Sequence, residues 1–485
     1  MELLIIIGFI IFYFVFIKKK NKKISSKMNY SNINNNNSNS NLKIENKEKM
    51  HQIETSIDLP NNFEFTDEFK KCFDLMENSK SNIFLTGKAG SGKSTLLEYF
   101  RTNTKKNFVI LAPTGIAAIK AQGTTIHSFF LFPLSVLTKD DIQEIKKKNN
   151  RRVINKLDTI LIDESSMMRA DIMDGIDQSL RINREINEPF GGVQIILIGD
   201  LFQLPPVVTG DELAAMNHLY PDGSYFFNAN SYSKGKFIKF ELNKIFRQKD
   251  EDFIKILNQI RIAKINQNDL DSINKRVVGN EFQLPKKTII LSPTNRKVDI
   301  INNTNLNKIK SKAFTYTAVI EGRFGEAPVD EELELKVGSQ IMIVKNDLYK
   351  PRRYVNGTIG FISVLNDEYI KVEIDGEEIK IEKHTWERIQ YKVSNGIITK
   401  EVIASFTQYP IKLAWAVTIH KSQGQTFENV FIDLDTGAFS HGQTYVALSR
   451  AISIEGLYFK RKIFKSDIIF DKKIYDFLIP MNQID

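Results

Sequence analysis

One octapeptide limits the fold of this chain more than any other feature of its sequence. Residues 87–94 read GKAGSGKS and match the pattern G-x-x-x-x-G-K-[ST] at every fixed position. The apolar segment 83–86 before it predicts a buried β-strand, and residues 95–100 after it predict the beginning of a helix. A strand, a glycine-rich turn and a helix in this order form the local structure that binds phosphate groups. The octapeptide therefore predicts an α/β domain with a nucleotide site.

The residue types of this loop explain how it would bind phosphate. Glycines allow successive backbone N–H groups to turn towards phosphate oxygens. Lys93 would reach the terminal phosphates, and the hydroxyl of Ser94 would be a ligand of Mg²⁺. The predicted nucleotide-binding residues of the loop are Gly87, Lys88, Ala89, Gly90, Ser91, Gly92, Lys93, Ser94 and Thr95. The expected cofactors are ATP and Mg²⁺.

Two further strand ends carry polar groups suited to hydrolysis. Asp163 and Glu164 follow the apolar run 159–162, where Asp163 would hold Mg²⁺ and Glu164 would act as general base towards water. Gln203 follows the run 194–199 and would position that water and sense the γ-phosphate. An acidic pair also begins many ordinary helices. These assignments therefore depend on the phosphate loop upstream.

The rest of the body alternates short apolar runs with helical stretches. Runs at 83–86, 108–112, 159–162 and 194–199 predict one series of parallel strands, and 288–292, 430–434 and 442–450 belong to a second. Between them, residues 313–406 alternate apolar and polar side chains, with Asn-Gly and Asp-Gly turns. We therefore expect the α/β class, with two parallel sheets and a small antiparallel β-barrel inserted into the second domain.

The composition of the chain limits the number of its domains and the kinds of site that it can form. A chain of 485 residues with 42% hydrophobic residues can form two or three packed domains. A net charge of +9 suits a polyanionic partner but alone predicts little. The single cysteine excludes an internal disulfide framework and fits a reducing compartment. No Cys/His cluster has the spacing of metal ligands.

The first 60 residues differ from the body. Residues 3–17 are apolar and precede five lysines, Lys18, Lys19, Lys20, Lys22 and Lys23. This run is short for a membrane span and lacks the features of a secretory signal. A membrane anchor and an unimportant extension are equally compatible with it. Residues 24–60, rich in Asn and Ser, predict a disordered linker. The compartment stays open between the cytosolic face of a membrane, the nucleus and the mitochondrion.

Two arginines fit the role of fingers that complete a nucleotide site from a second domain. Arg247 lies in the string LNKIFRQ, and Arg450 ends the string GQTYVALSR. Arginine fingers stabilise the charge of the transition state in phosphoryl transfer. For an isolated arginine a solvated surface position would be the better interpretation, so the flanking strings carry this prediction.

Nine strings of this chain together resemble superfamily 1B DNA helicases, most closely the petite-integration-frequency group related to RecD. The strings are FLTGKAGSGKS (84–94), APTGIAA (112–118), TIHSF (125–129), IDESSM (162–167), PFGGVQ (189–194), GDLFQLPPV (199–207), YVNGTIG (354–360), AVTIHKSQGQT (416–426) and YVALSR (445–450). The resemblance covers about residues 63–464 in the expected order. It implies two RecA-like domains, with an SH3-like barrel as the insertion.

The resemblance also implies an activity and further site residues. It implies ATP-dependent 5′-to-3′ translocation on single-stranded DNA with duplex unwinding, in repair, recombination or telomere maintenance. Single-stranded DNA and DNA forks would be the partners, and the acting unit a monomer. Gly424 and Gln425 would lie near the nucleotide. The implied DNA contacts are Pro113, Thr114, Gly115, His127, Ser128, Thr418, His420 and Ser422.

The expected domain boundaries follow from the same strings. Residues 1–23 form the hydrophobic segment with its lysines and 24–60 the linker. Residues 61–236 form the first RecA-like domain, 237–312 with 407–485 the second, and 313–406 the inserted barrel. The sequence departs from the family pattern at one position that concerns recognition of the adenine base: the residues around Phe69 include no glutamine.

Two alternative functions remain, an RNA translocase and a membrane-tethered binding protein without hydrolysis. The intact set Lys93, Asp163, Glu164, Gln203, Arg247 and Arg450 argues against the second.

Overall fold

The computed structural model describes residues 66–478 except residues 249, 280, 348, 350, 351 and 436. The apolar segment 3–17, with its possible membrane contact, and the linker 24–60 lie outside the described residues. Within the described part of the chain, no helix is both long enough and apolar enough to cross a bilayer.

The phosphate-loop strand lies inside a parallel six-stranded sheet. Its strands are β1 (Ile83–Gly87), β2 (Phe108–Ala112), β3 (Thr124–Thr125), β4 (Thr159–Ile162), β5 (Gln194–Ile198) and β6 (Ile238–Leu242), in the spatial order β3-β2-β4-β5-β1-β6. Every residue of β1, β4 and β5 is buried, as expected for a parallel sheet covered on both faces. β6 pairs with β1 along its whole length. The first domain therefore extends to at least residue 242, and the boundary expected at 236/237 is one strand too early.

Ten helices cover or follow this sheet within the described residues. They are α1 (Asp67–Asn78), α2 (Lys93–Asn103), α3 (Gly115–Lys120), α4 (Ile126–Phe130), α5 (Lys148–Lys156), α6 (Ala170–Arg184), α7 (Gly210–Leu219), α8 (Asn230–Lys234), α9 (Glu251–Arg261) and α10 (Gln267–Asn274). Several begin at side-chain caps. Thr66 accepts from Phe69 N, and Thr114 from Ala117 N. Such caps satisfy N–H groups that lack a partner in the first turn.

A second parallel sheet is interrupted by a long antiparallel insertion. The chain continues through β7 (Ile289–Ser292), α11 (Asn295–Lys308), β8 (Ala313–Thr317), β9 (Val319–Glu321), β10 (Glu332–Lys336), β11 (Gln340–Ile343), β12 (Ile359–Leu365), β13 (Ile370–Ile374), β14 (Glu377–Ile381), β15 (His384–Ser394), β16 (Ile397–Gln408), β17 (Ile411–Leu413), β18 (Ala416–Thr418), β19 (Val430–Ile432), α12 (Gln443–Leu448), β20 (Leu457–Phe459) and α13 (Lys472–Leu478). The second sheet has the order β18-β7-β19-β20, with all pairs parallel. The expected α/β class with two parallel sheets is confirmed.

The insertion forms a small barrel and a long hairpin. The five-stranded sheet β14-β13-β12-β11-β17 and the pair β8–β10 share one apolar core, which includes Leu333, Ile341 and Val372. Because β17 belongs to this sheet, the insertion extends to residue 413 rather than 406. The β13–β14 and β15–β16 turns place Asp375-Gly376 and Asn395-Gly396 at positive φ, the geometry that their sequences predict.

The hairpin β15–β16 reaches back to the first domain. The hydroxyl of Tyr391 accepts a hydrogen bond from Ile110 N at 3.0 Å, and its ring meets that of Phe129 edge-on. The inserted segment is therefore held against the first sheet as well as the second.

The C-terminal helix α13 packs against the first domain. The ring of Phe477 stacks on that of Phe227 at 4.3 Å between centroids, and it also contacts Phe84, Phe226 and Tyr232. Residues about 250 to 390 positions apart in the chain thus share one aromatic cluster.

Candidate active site

The phosphate loop joins the end of β1 to the beginning of α2. Gly90 and Gly92 have φ of +80° and +91°, and a Cβ on Gly90 would lie 2.5 Å from that of Arg247. Both features exclude larger residues at Gly90. The amine of Lys93 donates to the carbonyls of Gly87 at 2.6 Å and Lys88 at 3.0 Å. Burial lowers the pKa of Lys93, although Asp200 and Glu164 oppose this effect. The loop therefore encloses a cation that an anionic phosphate would stabilise.

The acidic pair lies at the end of β4, as the sequence predicts. Asp163 is buried, and its carboxylate accepts from Glu164 N at 3.0 Å. Burial and the charge of Glu164 raise the pKa of Asp163 to about 6. A divalent cation beside Asp163 would relieve this repulsion, so the donor set fits Mg²⁺. Among the described residues, no three His, Cys, Asp or Glu side chains cluster as a metal site. The ion would therefore depend on nucleotide phosphates for its remaining ligands.

The loop after β5 holds Gln203 through a buried carboxylate. Gln203 Nε2 donates to Asp200 Oδ2 at 3.2 Å, and Arg261 Nη2 lies 3.2 Å from Asp200 Oδ1. The guanidinium of Arg261 also lies 4.0 Å from the centroid of the Phe202 ring. Burial raises the pKa of Asp200, but Arg261 and Lys93 outweigh this effect and lower it. Asp200 is therefore charged and fixes the orientation of Gln203.

Of the two candidate finger arginines, Arg247 lies against the phosphate loop, and Arg450 lies behind it, next to Arg247. Phe246 N donates to Gly90 O at 2.9 Å, which places Arg247 beside the loop. Tyr445 of α12 accepts from Ala89 N through its hydroxyl at 3.3 Å. Arg247 Nη1 lies 3.5 Å from Ser449 O, next to Arg450. Residues from the second half of the chain therefore complete the rim of the nucleotide loop.

Arg450 is buried without a carboxylate partner among the described residues. Only 1% of its surface is exposed, and Nη1 donates to the carbonyls of Ser422 and Gln425, each at 3.1 Å. Nε donates to Val446 O at 2.9 Å. Burial and the neighbouring Arg247 lower the pKa of Arg450 to about 9. A buried cation held only by neutral groups is stabilised by an incoming anion, which is the requirement for a finger residue.

The expected DNA contacts of the first domain lie on two neighbouring segments, the beginning of α3 and the short helix α4. Pro113, Thr114 and Gly115 follow β2 and are half-buried. His127 and Ser128 lie in α4 and are also half-buried. Ser128 Oγ accepts from Arg388 Nη2 of the hairpin at 3.3 Å, and a Cβ on Gly115 would lie 3.3 Å from a carboxylate oxygen of Glu326. Both segments therefore face the insertion.

The second group of expected DNA contacts is only partly accessible. Ser422 is fully buried, its hydroxyl donates to Ile419 O at 2.8 Å, and its carbonyl binds Arg450. In this conformation the hydroxyl of Ser422 is turned inward and its carbonyl holds Arg450, so the expected DNA contact of Ser422 stays a prediction. Thr418 is also buried, and its hydroxyl accepts from Lys421 N. His420 is half-buried.

Gly424 and Gln425 lie close to both Arg450 and the first domain. The carbonyl of Gln425 binds Arg450, and a Cβ on Gly424 would lie 2.2 Å from Lys120 Nζ. Lys120 in turn acts on the charge of Asp163. Phe69 is buried in the core beneath α2, so its side chain adds no polar group to the nucleotide site.

A cavity of about 590 Å³ lies between the first domain, the second domain and the insertion. Its lining includes four lysines, Lys120, Lys345, Lys412 and Lys421, together with Thr418, Gly424, Gln425 and Trp386. Burial and the charge of Lys421 lower the pKa of Lys412 to about 8. Asp299, Glu326 and Asp330 line the same cavity, and the charge of Asp330 acts on Lys412. The cavity thus combines excess positive charge, an aromatic ring and small polar groups next to the nucleotide loop.

Several residues near the site were not singled out from the sequence. They are Asp200, Arg261, His441 and Tyr445. Arg261 shares the apolar stripe of α9 with Phe253 and Leu257, and a charged residue on that stripe is the signal that indicates a buried ion pair. His441 joins the two domains: Nε2 lies 3.1 Å from Leu201 O, and Nδ1 accepts from Asp471 N at 3.0 Å.

A parallel sheet ending in a phosphate loop, with Arg450 of a second parallel-sheet domain next to Arg247 at that loop, defines a two-domain NTPase of the RecA type. The sequence profile described as PIF1-like helicase matches residues 64–271, and that of the UvrD-like helicase C-terminal domain matches residues 413–452. The ATP-dependent DNA helicase Pif1 of Campylobacter jejuni is 30% identical over 452 residues, covering 85% of this chain and 98% of that protein. This chain therefore belongs to the PIF1-like helicase family, and the resemblance seen in its sequence is confirmed.

Other relatives define how far the likeness extends. The chain is 34% identical to the ATP-dependent DNA helicase PIF1 of Danio rerio, and spans 58% of that protein's length. Pif1 of Bacteroides sp in complex with ADP-AlF4 is 39% identical, with a TM-score of 0.81 over 87% of this chain and 98% of that one. The same Bacteroides protein bound to single-stranded DNA gives a TM-score of 0.64. The conformation described here is thus closer to that of the ADP-AlF4 complex than to that of the complex with single-stranded DNA.

Proposed function

We propose that this chain is an ATP-dependent DNA helicase that moves 5′-to-3′ on single-stranded DNA and separates the duplex ahead of it. The observation that carries the proposal is Arg450, a buried guanidinium that only carbonyl groups and the hydroxyl of Ser449 hold among the described residues, next to Arg247. Such a charge would stabilise the γ-phosphate and its transition state. Membership of the PIF1-like helicase family supports the helicase activity. We propose that the chain acts in repair, recombination or telomere maintenance.

The residues of the site would divide the chemistry among them. Lys93 would exchange its carbonyl partners for phosphate oxygens. Ser94 and Asp163 would hold Mg²⁺, which neutralises phosphate charge when bound. Glu164 would accept a proton from the attacking water, and Gln203, oriented by Asp200, would position that water.

Domain closure would couple the nucleotide to DNA. Arg247 and Arg450 would bind the γ-phosphate when the domains close, and loss of phosphate would release them. The cavity would bind the backbone of single-stranded DNA through its lysines, with Thr418 and the segments at Pro113 and His127 at its borders.

Glu326 and Asp330 line the same cavity as these lysines, and Glu326 lies near Gly115. We therefore expect the segment that carries them to move away when DNA binds. The lower TM-score to the DNA-bound relative supports such a movement.

The first experiment measures ATP hydrolysis by the full chain with and without single-stranded DNA, with RNA as a parallel arm. We expect DNA to stimulate hydrolysis strongly and RNA to do so weakly. Equal stimulation by RNA would favour an RNA translocase, and no hydrolysis in any arm would favour a binding protein. Because the sequence around Phe69 contains no glutamine, we also expect GTP to replace part of the ATP-dependent activity.

A variant tests the division of labour. Lys93→Ala should abolish hydrolysis and leave single-stranded DNA affinity largely unchanged, because Lys93 faces the phosphate loop and not the cavity. Lys105→Ala, an exposed lysine, serves as control. Loss of both activities in Lys93→Ala alone would contradict the separation of the two sites.

The oligomeric state, the preferred form of DNA and the membrane contact can each be tested. We propose a monomer as the acting unit and forked DNA as the preferred substrate. Deletion of residues 1–60 followed by membrane partition tests the proposed membrane contact of residues 3–17. Light scattering of the complex with DNA measures its molar mass and tests whether one copy of the protein is bound.

A further inference from the structure

Helix α5 presents a line of basic side chains on its outer face. Lys148, Arg152 and Lys156 are exposed and follow one another at four-residue spacing, so they lie on one side of the helix. Val153 and Ile154 on the opposite side are fully buried. We refer to Lys148, Arg152 and Lys156 as the basic ridge.

The helix that carries the ridge is firmly attached. Asn149 Nδ2 donates to Tyr391 O at 3.2 Å, and Asn150 Nδ2 donates to Phe129 O at 3.4 Å. Arg184 Nη1 donates to the carbonyls of Ile154 at 2.6 Å and Leu157 at 3.1 Å. The spacing of the ridge charges is therefore preorganised, which lowers the entropy lost when they bind a partner.

Nearby acidic groups do not neutralise the ridge. Glu144 and Glu185 both pair with Arg151, and Glu401 pairs with Lys392. Within the described part of the chain, none of the three ridge residues forms an ion pair or a side-chain hydrogen bond. The exposed Lys146 and Lys147 precede the helix and extend the same charge.

The ridge lies next to the proposed DNA path but outside the cavity. Asn150 contacts the carbonyl of Phe129, the residue that follows Ser128, and Ser128 binds Arg388 of the hairpin. No ridge residue lines the cavity that we assign to single-stranded DNA. The ridge therefore suits nucleic acid that continues beyond that cavity.

We propose that the basic ridge binds the phosphate backbone of the duplex arm of a DNA fork. This inference rests on the proposed helicase function. Successive ridge charges are about 6 Å apart along the helix axis, giving a span of about 12 Å. A duplex strand presents a phosphate about every 3.4 Å along its axis, so the ridge can neutralise two or three of them. Such contacts would hold the duplex without reading its sequence.

The observations favour nucleic acid over an anionic membrane surface. Interfacial helices bury an apolar face between lipid headgroups in addition to binding them through charge. The apolar side of α5 is already buried inside the protein, at Val153 and Ile154. Only charged and polar side chains remain for a partner.

The test compares the full chain with the triple variant Lys148→Glu, Arg152→Glu, Lys156→Glu. A charge-matched control carries Lys255→Glu, Lys275→Glu and Lys286→Glu, which alter exposed lysines far along the chain. Fluorescence anisotropy measures affinity for a fork and for its single-stranded arm alone, over a series of salt concentrations. ATP hydrolysis stimulated by single-stranded DNA is measured in parallel.

We expect the ridge variant to lose about tenfold or more in fork affinity, with the slope of log K against log salt reduced by about 2 to 3. Its affinity for the single strand and its stimulated hydrolysis should stay within about twofold of the unmodified chain and the control. Unchanged fork affinity, or an equal loss for fork and single strand, would overturn the proposal. If fork affinity is unchanged and binding to phosphatidylserine vesicles is lost, the proposal is also overturned, and the partner of the ridge is an anionic membrane surface. Absence of DNA-stimulated hydrolysis in the unmodified chain would instead count against the helicase function itself.

Discussion

Replacing Arg261 by Met should uncouple Gln203 from the rest of the active site. The Asp200 side chain is fully buried and lies 3.2 Å from Arg261 Nη2. Methionine keeps the contact with the Phe202 ring but removes the positive charge. Asp200 would then be a buried carboxylate balanced mainly by Lys93.

The size of the effect follows from this geometry. Removing one partner of a buried ion pair costs about 3–5 kcal/mol, and the remaining charge of Lys93 favours the lower end. About 3 kcal/mol corresponds to a fall of roughly 6–12 °C in the melting temperature of a domain of this size. Because Asp200 also orients Gln203, we expect kcat to fall on the order of 10- to 100-fold. KM for ATP should rise less than kcat falls, since Arg261 acts on Lys88 and Lys93 of the phosphate loop only through its charge.

Thermal unfolding and steady-state hydrolysis of four proteins provide the assay. The set comprises the unmodified chain, Arg261→Met, Asp200→Asn and the double variant. The double variant should recover part of the stability lost in Arg261→Met, because no buried charge is left without a partner. A melting temperature within 2 °C of the unmodified chain for Arg261→Met, with unchanged kcat, would refute this reasoning.

Three further outcomes are expected. Arg450→Lys should lower kcat by about 10³-fold or more with a small change in KM, because a lysine cannot maintain the three carbonyl contacts of the guanidinium; single-turnover hydrolysis measures the effect. Glu326→Gln should tighten single-stranded DNA binding severalfold in anisotropy, since a carboxylate on the cavity wall repels phosphate. His441 accepts from a backbone N–H and has a pKa lowered mainly by burial, so its contribution to stability is complete above about pH 6.5 and is lost as the pH falls through the lowered value. His441→Gln should therefore reduce the fall in melting temperature between about pH 7.5 and 5.5, and an unchanged pH profile would contradict this role.

Local patterns in the sequence predict the parts of this fold that depend on neighbouring residues. The phosphate loop, β2 and β4 are short apolar runs beside diagnostic polar residues, and they lie where the sequence places them. The boundary predicted at 236/237 separates β6 from its sheet, because β6 alternates Lys239 and Glu241 with apolar residues at the sheet edge. Its pattern does not reveal which sheet it joins.

Long-range contacts explain most of what the sequence does not reveal. The ion pair of Asp200 and Arg261 joins residues 61 positions apart, and the contact of Tyr391 with Ile110 spans 281 positions. Ser422 illustrates the same limit within a correctly recognised string. A hydroxyl in a strand-end loop suits a phosphate contact, but only the packed structure turns it inward beneath Arg450.

The position of α13 has a consequence for how the protein is made. The aromatic surface of the first domain at Phe84, Phe226 and Phe227 is covered by Phe477, which leaves the ribosome almost 400 residues after Phe84. During synthesis the first domain is therefore complete in sequence long before its surface is covered, and exposed aromatic side chains promote association between nascent chains. Packing of α13 against the first domain therefore completes assembly. A nascent chain interrupted before residue 472 retains an exposed, aggregation-prone aromatic surface on the first domain, even though every residue of its nucleotide loop is present.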